Sequence, residues 1–382
     1  MTLREQILRE IRDNGPIPFS RYMELCLYDP ELGYYSRNAE QFGKAGDFYT
    51  SSDVHAVFGR LLARQFQEMW QVLGSPGKIE IIELGPGRGL FARDVLAWAE
   101  QKFPDFYAAL HYSLVERSVA LKERLRSTLE SAFSTGKASI RDFPNPENSG
   151  SGFATPVIIF ANEFFDALPV EVFSSKGKLR IGEEHGGFVE TWSSPSDEDL
   201  CFLDRYAVHP EEGERVEAPR IAQRYMAQAA GSIRQGFIIA IDYGYTRDEL
   251  LAGRHRGTVM TYRQHSASAN PYEAPGEQDI TSHVNFTALA AAAEQNGMQV
   301  HPLLTQSQFL LGIGEQNEFA DAFEECRLPQ ERAKVALQLK HLVTPAGLGE
   351  TFHVLVASKG VSAERVSSLR GLGFGTRRSL SQ

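Results

Sequence analysis

Three glycines at alternate positions mark a segment of this sequence that could bind a ligand through its backbone. The apolar run 78–82 leads into Glu83-Leu84-Gly85-Pro86-Gly87-Arg88-Gly89, and a helical pattern follows over residues 90–102. A strand that turns into a helix through glycines lets the backbone approach a ligand more closely than side chains would allow. The spacing is not the Gly-x-Gly-x-x-Gly of dinucleotide-binding folds, and an acid just before the first glycine suits a cation better than a pyrophosphate. We therefore predict that S-adenosylmethionine, a sulfonium cation, binds at Glu83, Gly85, Gly87 and Gly89.

An acidic residue after the next apolar run supports a nucleoside ligand. Residues 110–115 are largely apolar and lead directly to Glu116. In a βαβ unit, a carboxylate at this place can accept hydrogen bonds from both ribose hydroxyls. The glycines alone could also form an ordinary tight turn between a strand and a helix. Because Glu83 and Glu116 accompany them, a ligand loop is favoured.

Two acids and an amide follow the strand predicted at residues 157–161. They lie in the segment Asn162-Glu163-Phe164-Phe165-Asp166, and ligands of open α/β sheets bind beyond the carboxyl ends of the strands. Beside a methyl donor, this segment suits a nitrogen nucleophile. An arginine side chain stays protonated, with a pKa above about 12, and needs a carboxylate that clamps its guanidinium. Glu163 is the first candidate and Asp166 the second; the alternative is that Asp166 caps a helix while the phenylalanines fill the core.

Two histidines follow later predicted strands. His265 and His283 could act as bases or orient a substrate, although a histidine in a loop more often holds local structure through hydrogen bonds. Both interpretations stay open at this point.

Composition limits the classes of partner. The net charge of −10 and the pI of about 5.6 disfavour binding to nucleic acid, which requires clustered Lys and Arg, and favour a basic protein partner. The three cysteines are far apart and form no Cys-x-x-Cys pair, so that neither disulfides nor a metal site is predicted. The sequence has no run of about 18 apolar residues and no signal-peptide or transit-peptide pattern at its start. We expect a soluble, cytoplasmic protein without a membrane span.

Apolar runs separated by helical patterns predict a doubly wound α/β fold. Further strands are predicted at residues 157–161, 237–243, 298–303 and 351–357, and an Ala- and Leu-rich helix ends at Gly297, as a crossover helix of a parallel sheet would. We predict an N-terminal helical and loop segment over residues 1–55 that covers the site, and a catalytic domain over residues 56–358. Insertions are expected at residues 171–235, with hairpin character, and 304–345, with helical character. Residues 359–382 are predicted to be a flexible tail.

Eight segments in a fixed order resemble the MidA-like family, a group that includes a mitochondrial complex I assembly factor acting as a protein arginine methyltransferase. The segments are Pro16-Ile17-Pro18-Phe19 with Tyr22-Met23, Asp29-Pro30-Glu31-Leu32-Gly33-Tyr34-Tyr35, Gly46-Asp47-Phe48 with Thr50-Ser51, the loop from Glu83 to Gly89, the stretch from Asn162 to Pro169, Asp242-Tyr243-Gly244, Asp279-Ile280-Thr281 with His283, and Gly347 with Gly349-Glu350. They extend over about residues 15–358. The sequence departs from the family pattern at Tyr49 and Asn285, and the second departure weakens any role of that position as a catalytic carboxylate.

The resemblance implies a seven-stranded class I methyltransferase of Rossmann-like fold that uses S-adenosylmethionine and releases S-adenosylhomocysteine. Relatives form symmetric dimethylarginine on a subunit of respiratory complex I, so a protein substrate bearing arginine is expected. Asn162, Glu163, Asp166 and His283 are expected to be catalytic. Asp47 and Thr50, in a loop over the site, are expected to bind the donor together with the glycine loop.

Three other function classes are alternatives to this one. The same fold could methylate a small molecule in a deep, mostly apolar pocket. It could also bind S-adenosylmethionine as an assembly factor without catalysis. A nicotinamide oxidoreductase is disfavoured because the glycine spacing is wrong. Association into a homodimer stays open.

Overall fold

A computed structural model describes residues 1–37, 56–143, 152–250, 255–263 and 266–373. The strands are β1 (Ile17–Pro18), β2 (Ile79–Leu84), β3 (Leu110–Val115), β4 (Ala138–Arg141), β5 (Val157–Asn162), β6 (Glu171–Ser174), β7 (Gly177–Glu184), β8 (Gly187–Ser193), β9 (Val216–Ala218), β10 (Gly236–Tyr245), β11 (Met260–Arg263), β12 (Ser266–Ser268), β13 (Asp279–Thr281), β14 (Val284–Asn285), β15 (Gln299–Val300), β16 (Leu304–Thr305) and β17 (Phe352–Lys359).

Helices alternate with these strands. They are α1 (Leu3–Asn14), α2 (Phe19–Tyr28), α3 (Ala56–Val72), α4 (Leu90–Lys102), α5 (Pro104–Ala109), α6 (Val119–Thr128), α7 (Glu130–Ser134), α8 (Asp197–Tyr206), α9 (Arg220–Ser232), α10 (Phe286–Gln295), α11 (Gln306–Gly314), α12 (Ala320–Phe323), α13 (Pro329–Val343) and α14 (Ala363–Ser367). None of the helices in the described ranges has both the length and the apolar character needed to cross a membrane.

The central sheet has the strand order β4-β3-β2-β5-β10-β17-β15 on its main path, with β14 beside β10 and β16 beside β17. Neighbours from β4 to β10 are parallel, whereas β17 runs antiparallel to β10 and β15. This confirms the doubly wound α/β prediction. Strand β4 was missed, because its Ala-Ser-Ile-Arg sequence contains no apolar run. The strand predicted at residues 298–303 is present only as the two residues of β15, and β16 follows directly after the predicted range.

The sheet changes direction between β2 and β5. From β2 the chain moves outward through β3 to β4, then returns to β5 on the other side of β2 and continues to β10. Loops that leave two strands on opposite sides of such a switch point diverge and open a crevice at the carboxyl edge. The glycine loop after β2 and the 162–169 segment after β5 therefore flank one crevice.

Helices cover both faces of the sheet. On one face, α3 and α4 bury Phe66 and Phe91 against Phe160 of β5, and the rings of Phe91 and Phe160 stack with centroids 4.5 Å apart. On the other face, α9 and α10 bury Met226 and Leu289. Burying side chains of this size stabilises the fold by about 1.5–3 kcal/mol each, and this packing fixes the sheet edge that carries the loops.

The N-terminal segment and the first predicted insertion form one layer beside the sheet. Strand β1 pairs antiparallel with β7, and the order of this second sheet is β1-β7-β6-β9 with β8 paired to β7. Helices α1 and α2 pack on it through residues such as Ile7 and Met23. A third sheet, β12-β11-β13, adjoins them. The hairpins expected in this insertion are thus present as β6, β7 and β8.

The second predicted insertion is helical, as expected, and contributes α11, α12 and α13 beside α3. The predicted flexible tail differs from the structure at its start. Residues 363–373 form α14 and a 3-10 turn, and the backbone N–H groups of Arg370 and Gly371 donate to Glu68 (3.1 Å) and Gln65 (3.0 Å) on α3. Val366 and Leu369 are buried. This anchoring was missed because polar residues surround the two apolar side chains; residues 374–382 lie outside the described ranges.

Candidate active site

A cavity of about 990 Å³ lies at the carboxyl ends of β2, β3 and β5. Its wall includes the glycine loop, Glu116 and the segment after β5, which are the three features that the sequence predicted at one edge. The volume is at the upper end of the range for small-molecule sites. Residues of α2 and of the 3-10 turn Tyr34–Ser36 also line it. That the whole N-terminal segment over residues 1–55 covers the site stays a prediction.

The glycine loop leaves β2 in a conformation that L side chains rarely adopt. The φ angles of Gly85 and Gly87 are +64° and +52°, and both residues line the cavity. A Cβ on Gly85 would lie 2.9 Å from Cδ2 of Phe164, closer than side chains tolerate. At Gly85 and Gly87, therefore, backbone and not side chain faces the ligand space, and the loop forms a cradle.

Gly89 has a packing role. It is the N-cap residue directly before α4 and has a φ of +76°; its N–H donates to the carbonyl of Pro86 (2.8 Å), and it is not among the described residues that line the cavity. A Cβ there would lie 2.8 Å from Cδ2 of Leu125 on α6. The third glycine thus permits close packing of α4 against α6, and the predicted contact with the donor stays a prediction.

Gly89→Ala is expected to lower the free energy of unfolding by about 1–2 kcal/mol, because a left-handed alanine is strained, without a comparable loss of donor affinity. Urea denaturation measures the first quantity and titration calorimetry with S-adenosylmethionine the second. Unchanged stability together with lost binding would instead assign Gly89 to the donor.

Glu83 is a buried carboxyl at the base of the loop. It is 5% exposed, and its Oε2 accepts a hydrogen bond from the hydroxyl of Tyr112 (2.9 Å). Burial raises the pKa of Glu83 to about 8, and the hydrogen bond from Tyr112 offsets only part of this rise. A cationic ligand would restore the charged form of the carboxyl.

Binding of S-adenosylmethionine is expected to weaken as the pH falls below about 8. The raised pKa keeps Glu83 protonated below that value, so binding a cation there must release a proton, and the dissociation constant rises by up to about tenfold per pH unit. Titration calorimetry between about pH 6 and 9 measures this dependence. Glu83→Gln is the control, because the glutamine side chain does not titrate. Any pH dependence that remains in this variant comes from the ligand's own amino group. Parallel slopes for both proteins would remove Glu83 from the donor site.

Glu116 is held in place by the backbone that follows it. Its Oε1 accepts hydrogen bonds from the N–H groups of Arg117 (2.7 Å) and Ser118 (2.8 Å). Burial raises the pKa of Glu116, and the two N–H groups oppose that rise. The side chain lines the cavity beside the glycine loop, which is the position expected for a ribose ligand.

The first acceptor candidate, Glu163, has a left-handed backbone with a φ of +49°. Its N–H donates to the carbonyl of Ile241 (2.9 Å), and its Oε1 accepts from Nδ2 of Asn162 (3.0 Å). A left-handed residue other than glycine is strained by about 1–2 kcal/mol, and such strain is concentrated at functional sites. Asn162 and Glu163 both line the cavity.

The second candidate, Asp166, is 6% exposed and lines the cavity. It caps no described helix, contrary to the alternative considered above. Its Oδ2 accepts a hydrogen bond from the hydroxyl of Tyr243 (2.5 Å). The carboxylate of Asp242, fully buried behind it, accepts from the backbone N–H groups of Phe165 and Asp166. The structure thus brings Glu163 and Asp166 to one wall.

Other predicted residues are not brought to this wall. His283 is exposed and absent from the described cavity lining; its ring stands edge-on to Tyr243 with centroids 5.3 Å apart. Its role as a base stays a prediction that this position does not favour. Asp47, Thr50 and His265 lie outside the described residues.

Several cavity residues were missed by sequence reasoning. Asp142 and Phe143 directly follow β4, and inspection of each strand end would have found them had β4 been recognised. Tyr28, Tyr35 and Asp279 come from segments remote in sequence; the signals for them were the aromatic segment that contains Tyr34-Tyr35 and the segment Asp279-Ile280-Thr281.

The cavity wall has an excess of acids. The described lining residues include seven acids and three arginines. The acids are Glu24, Glu83, Glu116, Asp142, Glu163, Asp166 and Asp279, and the arginines are Arg88, Arg117 and Arg224. Carboxylates concentrated in a cleft raise the local concentration of cationic ligands. The cavity is therefore suited to cations, as both a sulfonium donor and a basic acceptor require.

Known proteins resemble this chain over most of its length. A protein arginine methyltransferase NDUFAF7 homolog of Drosophila melanogaster, named mitochondrial, is 27% identical over 405 residues, covering 98% of this chain and 88% of that protein. Human protein arginine methyltransferase NDUFAF7, also named mitochondrial, is 25% identical, covering 91% of this chain and 81% of that protein. A crystal structure from Burkholderia thailandensis, bound to S-adenosyl-homocysteine, has 28% identity and a TM-score of 0.81, covering 97% of this chain and 94% of that one.

The family model described as "Putative S-adenosyl-L-methionine-dependent methyltransferase" matches residues 61–304, which is more than half of the chain. The predicted Rossmann-like fold, the resemblance and the S-adenosylmethionine cofactor are thereby confirmed. The glycine cradle, the fixed Glu116 carboxylate and the acid-rich cavity fit that cofactor. With this span of matched sequence and this site, the chain belongs to that family of S-adenosylmethionine-dependent methyltransferases.

Proposed function

We propose that the protein transfers the methyl group of S-adenosylmethionine to arginine side chains of a protein substrate. The observation that supports this proposal most directly is the position of Glu163. Its carboxylate, on a strained backbone, is oriented by Asn162 and lines the same cavity as the glycine loop. The names of the relatives, protein arginine methyltransferases, support the choice of acceptor.

The chemistry demands little beyond positioning. The sulfonium of the bound donor makes its methyl group electrophilic, and the protein aligns donor and acceptor and excludes water. A guanidinium delocalises its charge over three nitrogens, so a carboxylate that holds two of them leaves electron density on the third. Glu163 is the proposed clamp.

Aromatic residues of the wall favour the same acceptor. Tyr28, Tyr35, Tyr243 and Tyr262 line the cavity together with the acids. The faces of aromatic rings attract guanidinium and ammonium groups at distances up to about 6 Å. A cationic side chain would therefore be selected over a neutral one. For the donor, we propose contacts with Glu83, Gly85, Gly87 and Glu116; Asp47 and Thr50 remain predicted contacts.

The first experiment is transfer of labelled methyl from S-adenosylmethionine by the purified protein to a lysate of cells that lack it. Amino-acid hydrolysis of each labelled band identifies the modified residue. Label in one protein, recovered as methylarginine and lost when that arginine is replaced by lysine, is the expected result. Label confined to small molecules would support the small-molecule alternative. A donor-binding preparation without any transfer would support the assembly-factor alternative.

Finer features remain predictions. These predictions are a subunit of respiratory complex I as the target, symmetric dimethylation and a homodimer. The relatives are named mitochondrial, and this does not support the cytoplasmic location expected from the sequence. Fractionation of cells that express the tagged protein would decide the location.

A further inference from the structure

Methylation of a guanidinium leaves a proton that must be removed, and Glu163 is poorly suited to accept it. A carboxylate that is paired with a cation has its pKa held low and is a weak base. The proton acceptor should instead be a carboxylate next to the acceptor pocket that the cation does not neutralise.

Tyr243 and Asp166 form a hydrogen-bonded pair at this wall. The hydroxyl of Tyr243 donates to Oδ2 of Asp166 at 2.5 Å, and both residues line the cavity. The tyrosine is partly exposed to the cavity, whereas Asp166 is 6% exposed and its Oδ1 accepts no hydrogen bond from a described residue. The phenol thus stands between the ligand space and a buried carboxylate.

The pair is fixed from behind by Asp242. Its Oδ2 accepts from the N–H groups of Phe165 (3.1 Å) and Asp166 (3.3 Å), and its Oδ1 accepts from the N–H of Tyr243 (3.0 Å). Asp242 is fully buried. The side chain of Asp242 therefore links the loop after β5 to the end of β10, and this link fixes the positions of Tyr243 and Asp166 relative to each other.

The groups that face Asp166 are acids and phenols. Asp242 and Tyr243 belong to β10, Tyr28 to α2, Tyr35 to the 3-10 turn and Tyr262 to β11. Two further acids, Asp279 of β13 and Glu163 of the same loop, line the same cavity. Burial raises the pKa of Asp166, and the hydrogen bond from Tyr243 opposes this rise. A base whose pKa lies closer to neutral pH than that of an ordinary carboxyl is the more effective one.

We propose that Tyr243 and Asp166 together accept the proton released when the acceptor nitrogen is methylated. The inference rests on the proposed function. The nitrogen lone pair forms the bond to the methyl carbon, and the electron pair of the broken carbon–sulfur bond stays on sulfur. The methylated nitrogen then gives its proton to the oxygen of Tyr243, whose own proton passes to Oδ2 of Asp166. The products are a neutral thioether, a singly charged methylguanidinium and a neutral carboxylic acid, so charge is conserved.

The pH dependence of kcat tests this pair. Wild-type kcat is expected to fall by about tenfold per pH unit below the pKa of Asp166, since the carboxylate must be unprotonated. This fall of kcat at low pH is the acid limb of the profile. Tyr243→Phe and Asp166→Asn are each expected to lower kcat by about 10²–10⁴-fold and to abolish the acid limb. Tyr272→Phe is the matched control: its hydroxyl donates to the carboxylate of Glu190 (2.9 Å) and it is absent from the described cavity lining, so the acid limb should remain in place.

Donor affinity and thermal unfolding of each variant separate this role from a structural one. Tyr243→Phe keeps the ring and its edge contacts with His283 and Phe352, so it should fold and bind S-adenosylmethionine as wild type does. An acid limb that persists in Tyr243→Phe and Asp166→Asn, or donor binding lost in step with kcat, would overturn the inference alone. A wild-type enzyme that yields no methylarginine would overturn the proposed function and this inference together.

Discussion

Replacement of Glu163 by glutamine is expected to lower turnover by about 10²–10³-fold while S-adenosylmethionine binds as it does to wild type. The amide keeps an oxygen for the hydrogen bond from Asn162 (3.0 Å) and the same backbone preference, so local structure should persist. What it loses is the charge that clamps the guanidinium. An interaction made with the reacting group, and not with the donor, appears in kcat and leaves the dissociation constant of the donor unchanged.

Steady-state methyl transfer and calorimetry with the donor measure the two quantities. Glu183→Gln is a suitable control, because it removes one carboxylate that pairs with Arg12 at the surface and is absent from the described cavity lining. Its turnover should match that of wild type. A Glu163→Gln enzyme that turns over within about threefold of wild type would show that Glu163 is not the clamp.

The second large effect is expected at Glu116. Glu116→Ala should weaken binding of S-adenosylmethionine by about 10²–10⁴-fold, since it removes an acceptor of two hydrogen bonds that are each worth about 1.5–3 kcal/mol when charged. At saturating donor, kcat should stay close to the wild-type value, because the donor is again bound in place.

Two further variants make this experiment specific. Glu116→Gln retains an oxygen that can accept from the N–H groups of Arg117 and Ser118. The loop geometry should therefore be kept, and a loss of affinity smaller than that of Glu116→Ala would measure the contribution of the negative charge. Glu123→Ala, on the exposed side of α6, is the control and should bind normally. Unchanged donor affinity in Glu116→Ala with reduced kcat would move Glu116 to the acceptor side.

Local pattern was enough for the parts of the site that follow single strands. The glycine loop, Glu116 and the segment from Asn162 to Asp166 each stand directly after an apolar run. Parallel strands end at one edge of a sheet, so residues that follow them meet there whatever the remaining chain does. That regularity explains why Glu83, Glu116 and Glu163 were predicted together and line one cavity.

Sequence could not distinguish the roles of similar residues. Gly85, Gly87 and Gly89 have the same identity and spacing, yet Gly89 faces Leu125 and the other two face the cavity. Asp166 was predicted as an alternative clamp, and only its contacts with Tyr243 and Asp242 revealed a proton-accepting arrangement. In both cases the neighbour across space decides the role.

Hydrophobic periodicity and the residues at strand ends are properties of short segments, so they were sufficient to predict the fold class. The glycine loop as the donor site and Glu163 as the acceptor carboxylate stay predictions, but the same local patterns explain why both line one cavity. Which further side chains complete the cavity wall depended on the tertiary structure. Tyr35 donates a hydrogen bond to Asp279 across 244 residues of sequence, and Tyr28 reaches Ala167 across 139. Such contacts depend on how the N-terminal layer packs against the sheet, and packing is a property of the whole chain that no local pattern encodes.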